Sequence, residues 1–288
     1  MDQNTPEWLK MRRNYVGASD SPIIMGTCKF KMADGRKKTP NLLWQEKLGL
    51  VELNSITAAT RYGHDMEDTA RQSYEKMTDE LMVPKVVYHS NIPYMMASLD
   101  GINLEEDLAV EIKNCSAVDH ETARGGTVPL HYYAQVQHQL ACTGHEKMHY
   151  FSFHKGEGII VDVLKDIPYL DELYAKLANF WAYVENMEEP PLTDDDFIER
   201  DHAWVIFAGR LLDVKERKKL LAIEEKEIET ALRDLSENVN SRSGGIRYTC
   251  STRKGAVNYA VIPELEGIDL DQYRKDSTKT WTLKAEKQ

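Results

Sequence analysis

The 288-residue chain is poor in cysteine, and its four cysteines, Cys28, Cys115, Cys142 and Cys250, form no C-x-x-C pair. That spacing argues against a zinc ribbon and against an iron–sulfur cluster held by grouped cysteines, and four free thiols in a reducing compartment is the simplest account. No apolar run approaches the ~18 to 20 residues that span a bilayer. Residues Met1–Pro6 show neither the basic n-region nor the apolar h-region of a secretory signal, so a cytoplasmic location without membrane contact is expected. Positive charge is also short. The net charge of −11 comes with no dominant basic patch, the usual footprint of a nucleic-acid binder. What remains is an ordinary soluble composition, 42% hydrophobic and 29% charged, long enough for one large or two smaller domains.

The informative stretch is Ser98-Leu99-Asp100-Gly101 followed by Val110-Glu111-Ile112-Lys113. Residues i and i+2 of a strand share a face, so Glu111 and Lys113 project together while Val110 and Ile112 take the other phase. Asp100, expected at the end of the preceding strand, Glu111 and the Ile112 carbonyl would offer hard oxygen donors to a divalent ion. Magnesium suits such a set, because it binds through one or two carboxylates and keeps its remaining positions for water and phosphate. Lys113 could orient a water or offset charge as a phosphodiester is attacked. On spacing alone the same residues also read as a turn and a solvated pair on an edge strand.

Around this core, helices are expected over 6–13, 42–48, 56–77, 131–142 (stopped by Gly144) and 166–187. Strands are expected over 83–88, 95–99, 108–113, 149–153 and 158–163, the last two as a hairpin. Pro190-Pro191 is the best domain boundary, dividing 1–190 from a C-terminal extension, 191–288. In that extension Phe207, Val214, Leu221, Ile228 and Leu235 fall seven apart, with Leu211 and Leu232 on a second phase that Lys218 and Glu225 interrupt. Such a helix packs on another helix or a neighbouring subunit, or serves as a plain amphipathic core helix. A hairpin of 246–252 with 255–262 and a strand at 281–285 are expected after it.

Five segments occur in order: Trp8-Leu9-Lys10-Met11-Arg12; Gly17-Ala18-Ser19-Asp20; Gly63-His64-Asp65-Met66-Glu67; the Asp100/Glu111/Lys113 set; and Tyr132-Tyr133-Ala134-Gln135-Val136-Gln137. The series resembles the YqaJ-like viral recombinase family, relatives of lambda exonuclease within the PD-(D/E)XK nuclease superfamily, over roughly residues 5 to 190. Leu99 stands where the superfamily name has Pro.

The resemblance implies a PD-(D/E)XK nuclease core, a central mixed sheet flanked by helices, followed by the C-terminal helix and a small β extension. It implies that Asp100, Glu111 and the Ile112 backbone carbonyl ligate Mg2+, with Mn2+ a possible substitute, and that Lys113 assists the attacking water. Glu67 would add an acidic group, through water. Gln135 would lie at the active site with Tyr132 three residues before it; Tyr132, Gln135 and Gln139 share a helix face, which is otherwise a polar surface. Arg12 and Ser19 resemble a pocket for a 5′-terminal phosphate that Ser98 completes; an arginine fork and serine hydroxyls suit a phosphate. Ser19 also reads as a helix N-cap.

The expectation is therefore a magnesium-dependent 5′→3′ exonuclease on linear double-stranded DNA with 5′-phosphorylated ends. Family analogy adds 3′ single-stranded tails for phage-type recombination, a single-strand annealing protein as partner, a homo-oligomer in the form of a trimeric ring, and the bacterial host cytoplasm. A ring could gather cations on its inner wall, with Lys29, Lys31, Arg36, Lys37, Lys38 and Arg124 as candidates or as ordinary solvated loops. The rivals are a PD-(D/E)XK endonuclease and a non-catalytic DNA-binding or assembly protein on a nuclease fold.

Overall fold

Alternation of apolar and polar positions decides where the sheet lies. The computed structural model describes residues 6–29, 31–32, 35–51, 58–198, 200–250 and 268. They group into two units, Met1–Phe197 and Ile198–Gln288. The first runs α1 (Pro6–Arg12), β1 (Val16–Gly17), a 3₁₀ turn (Ala18–Asp20), α2 (Ser21–Ile24), α3 (Pro40–Lys47), α4 (Ala58–Thr78), β2 (Val83–Tyr88), β3 (Met95–Ile102) and β4 (Ala109–Asn114). It continues through α5 (Ala117–Arg124), α6 (Leu130–Thr143), β5 (Lys147–His154), β6 (Glu157–Leu164) and α7 (Ile167–Asn186). The second holds α8 (His202–Leu235) and the hairpin β7 (Ser241–Ser243) and β8 (Ile246–Tyr248).

The six-stranded sheet has the order β1-β3-β4-β5-β6, with β2 also paired to β3. β1 with β3 and β4 with β5 are parallel, and the other pairs are antiparallel. A parallel pair needs a crossover, and α5 with α6 supplies it between β4 and β5. This is the mixed sheet flanked by helices that the sequence led us to expect.

Both faces are covered, by two separate apolar clusters. Val110, Ile112, Phe151 and Phe153 point to one face, where they meet Ala70 and Tyr74 of α4. Ala109, Met148 and Tyr150, on the alternate phase, meet Val136 and Leu140 of α6 and Leu170, Leu173 and Leu177 of α7. β4 is thus a central strand, and the expected edge-strand alternative for Glu111 and Lys113 is excluded.

β3 runs past Asp100 instead of ending there. Leu99 and Ile102, three residues apart, belong to the same cluster, which a regular two-residue alternation forbids. The pairing explains it: two residues of β2, from Val83 to Lys85, span three of β3, from Ile102 back to Leu99. The extra residue is a β-bulge, a device that re-aims a side chain, and it falls between Leu99 and Ile102, the stretch that holds Asp100 and Gly101.

Helix ends follow local chemistry. Thr39 and Asp166 cap α3 and α7 by accepting from the Leu42 and Tyr169 amides. Gly144 ends α6 at φ 76°, a left-handed conformation that glycine adopts without strain.

Beyond Pro190-Pro191 the chain stays with the first unit. Asn41 donates to the Pro190 carbonyl, Lys37 pairs with Asp195 at 2.8 Å, and Thr39 donates to Asp196. In the second unit, Ile246–Tyr248 pairs with Ser241–Ser243 across Gly244-Gly245. This partner is closer in sequence than the expected one, because two glycines at positive φ close a tight turn. Segments 255–262 and 281–285 lie outside the described residues. All four cysteines are free, and no described helix is long and apolar enough to cross a membrane.

Gly101, next to Asp100, has no room for a side chain: a Cβ would lie 2.7 Å from Met82 Cβ and 3.1 Å from Val110 Cγ1. Gly101→Ala should destabilise the first unit by about 1–3 kcal/mol, read as a lower denaturant midpoint. An unchanged midpoint would show that the β2–β3–β4 contact yields freely.

Candidate active site

The bulge in β3 and the central position of β4 bring three of the expected residues together. Asp100 Oδ2 accepts from the Ile112 amide at 2.8 Å, across the β3–β4 seam. Glu111, 1% exposed, is held from the α6 side: Gln135 Nε2 donates to its Oε1 at 2.5 Å, and Gln139 Nε2 donates to its Oε2. Lys113 Nζ closes an ion pair on Glu111 Oε1. A carboxylate can take about four hydrogen bonds, so Glu111 is buried but well supplied.

Burial opposes the Lys113 ammonium, but the adjacent Glu111 and Asp100 charges outweigh it and hold its pKa above the ordinary lysine range. Lys113 is therefore a cation here. Its Nζ lies 5.6 Å from the centroid of the Tyr132 ring. Burial raises the Tyr132 phenol, against the opposing pull of Lys113, so it stays protonated.

The face bearing Tyr132, Gln135 and Gln139 is an interior surface, in contrast to the polar-surface alternative: Tyr132 and Gln139 are buried. Sequence reasoning placed Gln139 on that face but gave it no role. It also donates to the Ser98 carbonyl at 3.3 Å, so it ties Glu111 to β3. Its spacing from Gln135 was the available signal. Glu67 falls within α4, but its side chain lies outside the described part of the structure.

Arg12 and Ser19 also meet. Arg12 Nη2 donates to Ser19 Oγ at 2.8 Å, and its guanidinium stacks 4.7 Å from the centroid of the Trp8 ring. Ser19 is exposed. Ser98 makes no hydrogen bond to either of them, and only the elements that carry them are neighbours: Gly17 pairs with Met96, two residues before Ser98, and the 3₁₀ turn carrying Ser19 packs on β3 and α6.

Behind Arg12 and Ser19 lies a buried ion pair that sequence reasoning missed. Asp20 Oδ2 accepts from Lys47 Nζ at 2.7 Å and from the Gly17 amide at 3.0 Å, and Arg12 Nη2 stands 3.9 Å from Oδ1. Lys47 also donates to the Arg12 carbonyl at 3.3 Å. Burial pushes the Asp20 carboxyl upward, but Lys47, then Arg12 and Lys38, overcome it and keep the group well below the usual carboxylate range. Asp20 stood beside Ser19 in the sequence, whereas Lys47, the last residue of α3, gave no signal.

The candidate inner-wall cations are largely committed to carboxylates of this chain. Lys29 forms a two-pronged bridge to Asp119 at 2.7 and 2.8 Å, and Lys38 pairs with Glu46. Arg124 pairs with Glu121 and Glu157, while Arg36 lies 5.9 Å from the Phe197 ring centroid. Residues 31 and 37 bridge through their backbones. Neighbouring acids explain why this basic run is not a free cationic strip.

His138 of α6 bridges α2 and β3. Its Nδ1 meets Ser21 Oγ at 2.7 Å and its Nε2 meets the Met96 carbonyl at 3.1 Å. Burial lowers its pKa from 6.5 to about 4, against an upward pull from Asp20. The unfolded chain therefore binds a proton that the folded one refuses. Stability is full above pH 6.5 and is lost as pH falls toward about 4, by up to about 3 kcal/mol. His138→Gln should flatten that acid limb in denaturant titrations; an unchanged limb would remove His138 as its source.

Lys47→Met leaves Asp20 buried without its nearest cation and should cost about 3–5 kcal/mol, read in the same titrations. Adding Asp20→Asn should recover part of the loss, and equal loss in both variants would contradict a charge-based cost.

The YqaJ-like viral recombinase domain matches residues 7–146. A curated relative, the uncharacterized protein YqaJ of Bacillus subtilis (strain 168), is 28% identical over 186 residues, which cover 62% of this chain and 56% of that protein. The chain thus spans little more than half the length of that relative. An alkaline exonuclease (LHK-Exo) of Laribacter hongkongensis superposes with a TM-score of 0.53 at 25% identity, covering 64% of this chain and 95% of that one. The same enzyme in complex with dAMP superposes at 0.55, with the same identity and coverage. In sequence, the chain is a homologue of YqaJ and matches the YqaJ-like viral recombinase domain over residues 7–146, and in fold it is similar to the alkaline exonuclease.

Proposed function

We propose that this chain is a metal-dependent exonuclease that degrades one strand of linear double-stranded DNA in the 5′→3′ direction. The observation that carries the reading is the buried Glu111 carboxylate, fixed by Gln135, Gln139 and Lys113 beside Asp100. The alkaline exonuclease with a similar fold, seen with a bound nucleotide, supports it.

The donor chemistry fits a hard divalent ion. Asp100, Glu111 and the Ile112 carbonyl supply oxygen only. Water and phosphate oxygens would complete the shell, as magnesium favours. Glu67 would add a further carboxylate, through water. Magnesium, or manganese in its place, would supply Lewis-acid charge at the scissile phosphate.

The protein's own groups do the rest. Gln135 and Gln139 fix the orientation of Glu111, so its carboxylate need not reorganise during reaction. Lys113, held cationic, offsets the charge that builds on the attacked phosphate, and the Tyr132 ring beneath it limits where the ammonium can go. Arg12 and Ser19, with Ser98, would take the 5′-terminal phosphate, the guanidinium as a planar fork and the hydroxyls as single donors. Lys47 and Asp20 hold Arg12 from behind. A terminal-phosphate pocket next to the hydrolytic centre favours cutting from an end. By family analogy the product is a 3′ single-stranded tail for phage-type recombination, handed to a single-strand annealing protein, and the enzyme acts as a trimeric ring in the bacterial host cytoplasm.

The test is digestion of linear duplex DNA bearing a 5′-phosphate or a 5′-hydroxyl, beside a closed circle, with magnesium and with chelator. Mononucleotides should come from the phosphorylated linear DNA, and chelator should abolish their release. Lys113→Ala should lower turnover by about a hundredfold or more with DNA binding retained. Cutting of the circle would replace the reading with an endonuclease, and DNA binding without any cleavage would replace it with a binding module.

A further inference from the structure

Helix α8 spans 34 residues, about 51 Å at 1.5 Å per residue, and none of them is buried. Phe207, Val214, Leu221, Ile228 and Leu235 recur every seven residues, each at least 39% exposed. Trp204, Leu211 and Leu232 take the second seam position of the same heptad, which Lys218 and Glu225 interrupt. A stripe this long and apolar is the contact face of another helix.

Charge identifies which helix. Four cations fall within Lys215–Lys219 and four carboxylates within Glu224–Glu229, so the helix is basic before its midpoint and acidic after it. Its best complement is its own sequence read backwards. We propose that α8 pairs with α8 of a second copy of this chain, antiparallel, with the two-fold axis between Lys219 and Leu220.

In that register Trp204 meets the partner's Leu235, Phe207 meets the partner's Leu232, and Leu211 meets the partner's Ile228. The two interruptions become assets. Lys218 lies one turn from the partner's Glu225, and Arg217 flanks the seam two residues from the level of the partner's Glu224. Each contact occurs twice by symmetry. A parallel pair in register would instead stack Lys218 on the partner's Lys218 and Glu225 on the partner's Glu225. It would also set Arg210 beside the partner's Lys215 and Glu224 beside the partner's Glu229, since flanking charges select orientation. Antiparallel helices also oppose their macrodipoles. The pairing is independent of the nuclease reading and of any ring formed by the first unit, because it uses residues of α8 alone.

Light scattering on the full-length chain tests it. Leu221→Glu with Ile228→Glu should halve the particle mass. An unchanged mass would overturn the proposal and assign the seam to the chain's own residues or to a different partner. Orientation is read by charge reversal on the exposed surface, where folding is not at stake. Lys218→Glu and Glu225→Lys should each raise the dimer dissociation constant about tenfold, and the double variant should restore it. Failure of the double variant to restore would overturn the antiparallel register. In a Cys250→Ser background, Leu211→Cys with Ile228→Cys should give an interchain disulfide that neither single variant gives. A cross-link in Ile228→Cys alone would point to parallel helices and overturn the register.

Discussion

A carboxylate in the middle strand of a sheet covered on both faces is costly unless its charge is matched and its oxygens are hydrogen-bonded, because the interior offers little water to do either. Glu111 is that group, and much of the first unit is arranged around it. α6 must lie across β4 so that Gln135 and Gln139 reach it. The α5–α6 crossover, and with it the parallel pairing of β4 and β5, puts α6 there. Lys113, two residues on, faces the same way because strand geometry allows nothing else. A cluster of this kind is strong in electrostatics and weak in tolerance: removing any one partner leaves another buried and unmatched.

The second buried charge centre follows the same physics with the opposite emphasis. Asp20 and Lys47 neutralise one another, and their surplus hydrogen bonds go to the backbone of Gly17 and Arg12. The pair therefore fixes the turn carrying Ser19 and the end of the helix carrying Arg12. What remains at the surface is a guanidinium touching a hydroxyl. The two centres share α6 as a common wall, since His138 bonds both to Ser21, beside Asp20, and to the β3 backbone. An uncharged imidazole is the right link, because it adds no third charge to the interior.

The second unit obeys a different logic. Its helix has no buried residue. The separation of basic and acidic halves along α8 is information about orientation, which a uniform heptad would lack. Lys218 and Glu225 look like defects in a single helix and become complementary only when the helix is read against its reverse.

How much of this was legible in the chain varies by element. The strands around Glu111 and the hairpin of β5 and β6 were readable because alternation is local, and Gly144 announced the end of α6. Asp100, Glu111 and Lys113 were legible as a set from their spacing, and Arg12 with Ser19 from a resemblance. Asp100 was placed at a strand end, since a bulge depends on the partner strand and leaves no mark in its own residues. Lys47 was invisible because its role is set by Asp20, 27 residues away. The committed state of Lys29, Lys38 and Arg124 was equally hidden, because a charge run cannot reveal which acids will stand opposite it. The sequence by itself determined which faces are apolar and which residue types could do phosphodiester chemistry. Only the tertiary structure decided that Glu111 is buried and held by two glutamine amides, because that requires α6 to cross β4, a contact between residues 24 and 28 positions apart.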